Sequence, residues 1–212
     1  MVIAIDGPAG AGKSTVARGV AKALGFTYLD SGAMYRCVGL AALDHGADLD
    51  DGEALGRLAG GLRIELAGGS VTLDGREVSS EIRAPEVSAA ASRVSVHAQV
   101  RAAMVDQQRA LIRGGRYVAE GRDIGTVVSP DAPLKVFLTA SEQERARRRA
   151  EEIGEPTEDV LAAIRARDQS DTSREHGALR PAEDALELDT TGLDAREVVT
   201  EVVRIARERG LA

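Results

Sequence analysis

The chain has 212 residues, of which 43% are hydrophobic, 29% charged and 2% aromatic, and its formal net charge at pH 7 is -7. This length and apolar fraction predict one main folded domain with at most a small insertion, and argue against a disordered chain. The acidic balance and the scarcity of aromatic residues argue against a nucleic-acid-binding protein, which carries a basic face or stacking rings.

Neither a membrane segment nor an export signal is visible in the sequence. No apolar run approaches the ~20 residues of a membrane-spanning helix, and the chain enters its first strand without a signal peptide. Cys37 is the only cysteine, which rules out an internal disulfide and suits a reducing compartment. We therefore expect a cytoplasmic protein without a membrane partner, and nothing in the sequence demands more than a monomer.

The first predicted elements are an apolar strand, Val2–Ile5, and a helix from Ser14 to Leu24. Between them lies the pattern Gly-x-x-x-x-Gly-Lys-Ser, whose backbone N–H groups and helix N-terminus cradle phosphates. It predicts a nucleoside triphosphate site in which Lys13 reaches the β- and γ-phosphates and Ser14 offers its hydroxyl to Mg²⁺. The predicted ATP-binding residues are Gly7, Pro8, Ala9, Gly10, Ala11, Gly12, Lys13, Ser14 and Thr15.

A second strand, Thr27–Asp30, leads into a helix predicted over 33–45. Asp30 or Ser31 can simply cap this helix, as such residues commonly do. Arg36, however, lies roughly one and a half turns inside the helix, near enough to hold an anion at its mouth. This segment is therefore the first candidate for binding a phosphoryl acceptor.

The stretch between two glycine pairs, from about Gly61 to Gly115, has a different pattern. Alternating apolar residues on both sides of Gly68-Gly69 predict an antiparallel hairpin, and helical sequence follows from Pro85 to about Ile112. We predict an inserted small domain at 61–114, between core segments at 1–60 and 115–212.

Three further strands are predicted at Tyr117–Glu120, Leu134–Leu138 and Ala185–Leu188, with helical patterns after them at 142–152, 158–167 and 195–207. Alternating strands and helices predict a parallel sheet with helices on both faces, in which ligands gather at the carboxyl ends of the strands. The predicted fold is an α/β P-loop core with an inserted domain that carries an antiparallel hairpin.

The remaining motifs narrow the class of P-loop protein. The chain contains no asparagine, so the Asn-Lys-x-Asp segment with which GTPases read guanine is missing. Asp189-Thr190-Thr191-Gly192 matches the switch pattern Asp-x-x-Gly, and we interpret it as the turn before the last helix. No strongly apolar strand ends in Asp-Glu, as many motor ATPases require. These observations favour a kinase that transfers one phosphoryl group to a small acceptor.

Arginines supply two more candidate acceptor segments and one candidate lid. Glu120-Gly121-Arg122-Asp123 follows a strand, where a buried ion pair is the structural alternative. Arg167, Asp171 and Arg174 would share one face of a continuous helix, as an ion-pair ladder, or belong to a loop ordered by a ligand. The arginines at 145, 148 and 149 fit either a solvated helix or closure over a triphosphate.

At these residues the chain resembles the bacterial cytidylate kinases, a family of nucleoside monophosphate kinases. The resemblance covers nearly the whole chain and is carried by Ile5 to Thr15, Leu29 to Arg36, Glu120 to Val128, Pro130-Asp131-Ala132-Pro133 and Arg167-Asp168. It implies a P-loop kinase with a short lid around 148–174. The implied reaction is transfer of the γ-phosphoryl group of ATP, with Mg²⁺, to CMP or dCMP in pyrimidine nucleotide metabolism.

The resemblance also implies residue roles. The implied catalytic residues are Lys13, Arg122 and Arg174, and the implied acceptor-binding residues are Asp30, Ser31, Arg36, Ser92, Arg101, Arg122, Asp123, Arg167, Asp171 and Arg174. Of these, Ser92, Arg101 and Asp123 would read cytosine, while Asp171 would hold the ribose. The lid segment departs from the family, because Ser170, Thr172 and Ser173 stand where arginine and aspartate are frequent.

The chemistry of the acceptor agrees with these roles. The carboxylate of Asp123 can accept a hydrogen bond from the 4-amino group of cytosine, whereas uracil would present a second acceptor. The acceptor phosphate is already mostly ionised at neutral pH, so no general base is required. Two other hypotheses remain open: a kinase for UMP or AMP on the same fold, and a non-enzymatic nucleotide-dependent switch.

Overall fold

The computed structural model describes residues 1–174 and 176–212. These residues form two compact units, one of Met1–Leu29 with Ile112–Ala212 and the other of Asp30–Leu111. In chain order the strands and helices are β1 (Val2–Asp6), α1 (Lys13–Leu24), β2 (Thr27–Asp30), α2 (Ser31–Asp44), α3 (Gly52–Gly61), β3 (Ile64–Ala67), β4 (Ser70–Leu73), β5 (Arg76–Glu77), α4 (Pro85–Val94), α5 (Ala98–Ile112), β6 (Tyr117–Gly121), β7 (Leu134–Thr139), α6 (Glu142–Ile153), α7 (Thr157–Thr172), β8 (Leu186–Asp189) and α8 (Ala195–Glu208).

The first unit is built on a five-stranded sheet with the order β2-β6-β1-β7-β8. β1 pairs in parallel with β6 and β7, and β7 pairs in parallel with β8. All residues of β1 are buried, as expected for a central strand covered on both faces. The register places Asp6 beside Gly121 and Phe137, so the carboxyl ends of three strands meet at one edge.

Two helical layers complete this unit. α1 and α8 pack together over the sheet, where Val20 and Val202 are buried with Ile3 of β1. The last helix begins at a capping box in which Asp194 and Glu197 satisfy each other's backbone N–H groups. α6 and α7 pack on each other through a separate small apolar cluster.

The second unit combines a helical core with a small sheet. α2 packs on α4, and β3, β4 and β5 form an antiparallel sheet in that order. Met34 and Met104 are among its fully buried side chains, and so is the lone Cys37. Burial raises the pKa of the Cys37 thiol to about 12.

The predicted parallel core with helices and the separate antiparallel hairpin are confirmed, and the structure adds detail to both. The predicted hairpin has a third strand, β5, and the helical sequence over 85–112 is divided between α4 and α5. At the break, the ring of His97 lies 2.9 Å from the carbonyl oxygen of Leu49. The predicted insertion at 61–114 overlaps the second unit, which already begins at Asp30, and its boundaries stay a prediction. Within the described part of the chain, none of the helices combines the length and hydropathy that crossing a bilayer requires.

Candidate active site

The P-loop connects β1 to α1 at the carboxyl edge of the sheet. A Cβ atom on Gly7 would lie 2.2 Å from the carbonyl oxygen of Leu138 in β7, so only glycine can pass the neighbouring strand here. Lys13 opens α1, and the Gly12 that precedes it has no side chain to cap the helix. The N–H groups of the first turn therefore remain suited to bind an anion.

Lys13 is buried at 7% exposure, and its ammonium donates a hydrogen bond to the carbonyl oxygen of Pro8 at 2.7 Å. Burial lowers the pKa of Lys13 below its usual value, and the positive charges of Arg122 and Arg167 lower it further. Glu120 acts in the opposite direction. A bound polyanion would oppose this shift, because its negative charge favours the protonated ammonium of Lys13.

The donor set beside Lys13 fits a magnesium ion that arrives with a nucleotide. Ser14 stands exposed on the first turn of α1. Mg²⁺ keeps several waters and takes phosphate oxygens with only a few protein ligands, so one hydroxyl next to a phosphate site is a sufficient anchor. Across residues 1–174 and 176–212, no group of three or more His, Cys, Asp or Glu side chains offers a metal site independent of a nucleotide.

The segment after β6 turns sharply into a single π-helical turn, Ile124–Val128, which we call the π turn. The carboxylate of Asp6 accepts hydrogen bonds from the backbone N–H groups of Ile124 at 2.9 Å and Gly125 at 2.7 Å. Burial raises the pKa of Asp6 to about 6, the two N–H groups oppose the rise, and the charge of Asp123 adds to it. Sequence reasoning missed Asp6, although a carboxylate that ends an apolar strand just before a P-loop is a recognisable signal.

Arg122 and Arg174 converge on one buried carboxylate, that of Asp171. The Nε atom of Arg122 donates to Oδ2 of Asp171 at 2.8 Å, and the guanidinium of Arg174 pairs with Oδ1. Burial raises the pKa of Asp171, but the charges of the two arginines outweigh it and hold the pKa below its usual value. The structure thus brings together three residues from the predicted catalytic and acceptor-binding sets.

α7 extends beyond its predicted end at 167 and includes Asp171. Ser170 and Thr172 are weak helix formers, yet they belong to the last turn of this helix. The hydroxyl of Thr172 donates to the carbonyl oxygen of Asp168 at 2.8 Å, one turn back along the helix.

The arginines of α6 differ in their surroundings. Arg145 is 5% exposed, donates to the carbonyl oxygen of Ala9 in the P-loop at 3.2 Å, and pairs with Asp168 of α7 at 2.6 Å. Arg148 donates to the hydroxyl and the carbonyl of Thr190 at 3.0 and 2.6 Å. The side chains of Arg145 and Arg148 are therefore not part of a solvated face of α6, which was one of the two alternatives for them.

Thr190 belongs to the Asp-x-x-Gly segment that sequence analysis interpreted as a simple turn. It does form a turn after β8, but its hydroxyl also lies 3.3 Å from the carbonyl oxygen of Ala11 in the P-loop. Thr190 is a second residue that sequence reasoning did not assign to the site, because its contact spans most of the chain.

The predicted acceptor residues of the second unit make contacts within it. Asp30 caps α2 by accepting from the N–H of Ala33 at 2.8 Å, and it pairs with Arg36 at 3.1 Å. Ser31 is buried as the first residue of α2. The buried Arg101 places its guanidinium over the ring of Tyr35, 5.7 Å from the ring centre, and the Ser92 hydroxyl donates to the carbonyl oxygen of Ser88.

Comparison with known proteins decides the family. The family model described as cytidylate kinase matches residues 3–208. The chain belongs to the cytidylate kinase family. The cytidylate kinase of Pelotomaculum thermopropionicum is 50% identical over 211 residues, which cover 95% of this chain and 93% of that protein. The cytidylate kinase of Solibacter usitatus is 46% identical over 216 residues, which cover 99% and 93%.

Solved structures outside the cytidylate kinases share the fold. A gluconokinase from Sinorhizobium meliloti superposes with a TM-score of 0.51 at 18% identity, over 99% of this chain and 93% of that one. Identity at this level supports the fold alone. The predicted cytidylate kinase family and the predicted P-loop kinase fold are both confirmed, and the roles of individual site residues stay predictions.

Proposed function

We infer that this protein transfers the γ-phosphoryl group of ATP to CMP or dCMP and releases ADP with CDP or dCDP. The observation that carries this inference is the cytidylate kinase match over residues 3–208. Full-length relatives at 46% and 50% identity bear the name of that activity. The buried Lys13 in a phosphate-binding loop supports a nucleoside triphosphate as the donor.

The donor is held by the P-loop in this proposal. Backbone N–H groups and the N-terminus of α1 bind the phosphates, and Lys13 neutralises the β- and γ-oxygens. Ser14 would hold Mg²⁺, which when bound neutralises charge on the transferred group and helps to align it. Arg148 is oriented toward this loop, because its Nη1 atom would lie 3.9 Å from a Cβ atom built on Gly12.

The acceptor is bound by arginines and read by a carboxylate. We assign its phosphate to Arg122 with Arg36, its ribose to Asp171, and the 4-amino group of its base to Asp123. The remaining acceptor contacts proposed are Asp30, Ser31, Ser92, Arg101, Arg167 and Arg174. Asp123 is 5% exposed, so a base with a carbonyl at this position would leave two buried acceptors facing each other.

Catalysis in this proposal is alignment and charge neutralisation. The acceptor phosphate is already ionised at neutral pH, so none of the residues acts as a general base. Lys13, Arg122 and Arg174 instead bring two polyanions to the same place and stabilise the charge that moves between them. Closure of the lid around 148–174 would exclude water, which otherwise competes as an acceptor.

The proposed setting is the cytoplasm, where the enzyme would act as a monomer on two small molecules. The single buried cysteine supports a reducing compartment.

The test is ADP release from Mg-ATP with CMP, dCMP, UMP, AMP or no acceptor. We expect release that depends on CMP and dCMP and is weak with UMP and AMP. Equal release with UMP or AMP would favour a kinase for another nucleotide. ATP binding without any acceptor-dependent ADP release would favour a nucleotide-dependent switch and contradict the proposal.

A further inference from the structure

Asp6 caps a helical turn that lies more than a hundred residues away in the sequence. Its side chain ends β1, is buried, and uses one carboxylate oxygen for each of two consecutive N–H groups, those of Ile124 and Gly125. A carboxylate that accepts the first N–H groups of a helical turn is an N-cap. Here the cap comes from a neighbouring strand rather than from the residue that precedes the turn.

The residue that precedes the π turn is Asp123. Aspartate is a preferred capping residue, yet Asp123 makes no side-chain capping hydrogen bond to this turn. With φ of -146° and ψ of 24°, its backbone leads into the turn while Asp6 supplies the cap. The local structure therefore does not depend on the Asp123 carboxylate for capping.

The position of Asp6 joins two functional segments. It directly precedes Gly7, the first residue of the P-loop, and its β6 partner in the sheet register is Gly121. Arg122 and Asp123 lie between Gly121 and the capped N–H groups. Asp6 thus meets both ends of the segment that carries Arg122 and Asp123, through its strand pairing at Gly121 and through its side chain at Ile124 and Gly125.

The π turn is seated tightly against this carboxylate. A Cβ atom on Gly125 would lie 3.4 Å from Oδ2 of Asp6 and 3.2 Å from Cδ of Lys135. The ammonium of Lys135 pairs with Asp184 at 2.8 Å. Asp6 is thus stabilised mainly by the two N–H groups, with Lys13 contributing as a nearby positive charge.

Stability alone does not explain a carboxylate at this position. Burial raises the pKa of Asp6 to about 6, and the charge of Asp123 adds to the rise. Near pH 7 the group is ionised in a place that disfavours its charge, so its ionisation lowers the stability of the fold.

We propose that Asp6 is a positioning residue: it caps the π turn from β1 and fixes Arg122 and Asp123 relative to the P-loop, and so orients them toward the phosphoryl acceptor. This inference rests on the proposed function. It assigns Asp6 a role in acceptor choice rather than in contact with the reacting atoms.

The test is Asp6→Asn, with Asp194→Asn as the matched control. An asparagine can accept only one of the two N–H bonds, because its amide nitrogen is a donor and faces the other N–H. We expect kcat/KM for CMP to fall about tenfold or more and the preference for CMP over UMP to shrink. Affinity for Mg-ATP should stay within about threefold.

The control makes the same chemical change at an exposed cap. Asp194 accepts from the N–H of Arg196 at 2.7 Å at the start of α8. Asp194→Asn should leave the ratio of CMP to UMP activity unchanged. An Asp6→Asn enzyme with the wild-type ratio, or one that loses ATP affinity as strongly as CMP activity, would overturn the proposal.

Two further measurements keep the test decisive. If Asp6→Asn does not fold, Gly125→Ala takes its place, because the added Cβ atom would lie 3.4 Å from Oδ2 of an intact Asp6 and crowd the cap. It should reduce the same ratio, and an unchanged ratio overturns the proposal. If the wild-type protein shows no CMP-dependent ADP release, the proposed function fails by itself. Hydrogen exchange then tests the cap directly. The N–H groups of Ile124 and Gly125 should exchange faster in Asp6→Asn than in the wild type, and equal rates in the two proteins would overturn the proposed cap.

Discussion

The guanidinium of Arg148 donates to both oxygen atoms of Thr190, to the hydroxyl at 3.0 Å and to the carbonyl at 2.6 Å. The same hydroxyl lies 3.0 Å from the carbonyl oxygen of Thr139 and 3.3 Å from that of Ala11. Thr190 is 2% exposed, so this network is shielded from water. It connects α6 and the ends of two strands to the P-loop, and it holds a positive charge beside the phosphate site.

Arg148→Ala should lower turnover. The change removes this charge from the edge of the P-loop and leaves the buried Thr190 oxygens with fewer donors, so we expect kcat to fall about tenfold or more. Steady-state kinetics with saturating CMP measure the effect. The matched control is Arg147→Ala, because Arg147 is half-exposed on the same helix and its ion pairs are with Glu144 and Glu151. If both variants kept the kcat of the wild type, Arg148 would have no role in turnover.

Thr190→Val should weaken ATP binding through the loss of one hydroxyl. Valine keeps the shape of the side chain but can neither accept from Arg148 nor donate to the backbone carbonyls. We expect KM for ATP to rise about fivefold, with KM for CMP little changed. Thr190→Ser retains the hydroxyl and should restore the wild-type value. A valine variant with unaltered KM for ATP would contradict this prediction.

Asp123→Asn should reduce discrimination between CMP and UMP. The new amide can donate to the carbonyl of uracil, and it loses the charge that accepts from the amino group of cytosine. The ratio of kcat/KM for the two acceptors should therefore fall at least about tenfold. Asp131→Asn, a change at an exposed position, is the control. An Asp123→Asn enzyme that keeps the wild-type preference for CMP would exclude the base-reading role.

The stability of the protein should depend on pH through Asp6. The pKa of Asp6 is about 6 in the folded protein and 3.8 when unperturbed, so the folded state binds this proton more tightly. The stabilising contribution of the protonated group is complete below pH 3.8 and is lost as the pH rises through about 6. The difference in free energy of unfolding between wild type and Asp6→Asn should therefore fall by about 2.4 kcal/mol from pH 4 to pH 7. Urea titrations of both proteins measure it, and a difference that grows with pH would contradict the assignment.

The sequence predicted those parts of the fold that local patterns determine. The five strands of the first sheet follow from short apolar runs, and the P-loop follows from glycine spacing next to a strand. Helix α3 was missed because glycines at 52, 56, 60 and 61 conceal a helical pattern that Asp51 caps. The boundary between α4 and α5 was missed because its contact with Leu49 is a tertiary one.

The contacts that organise the candidate site were beyond local reasoning. Asp171 could be proposed from its spacing to Arg174, but its hydrogen bond to Arg122 joins residues 49 positions apart. The bond from Asp6 to Gly125 spans 119 positions. Such pairs depend on which strands become neighbours and on how helices pack over them. Local patterns in a single sequence reveal neither.

Because Cys37 is buried, its alkylation can report conformational opening of the protein without an added label. Only the thiolate reacts with alkylating reagents, and this thiol is both inaccessible and, with a pKa of about 12, almost wholly protonated in the folded unit. Labelling must therefore wait for residues 30–111 to open, and the chain has no second cysteine to obscure the signal. The alkylation rate, followed with and without nucleotides, thus measures how strongly each ligand keeps that unit closed.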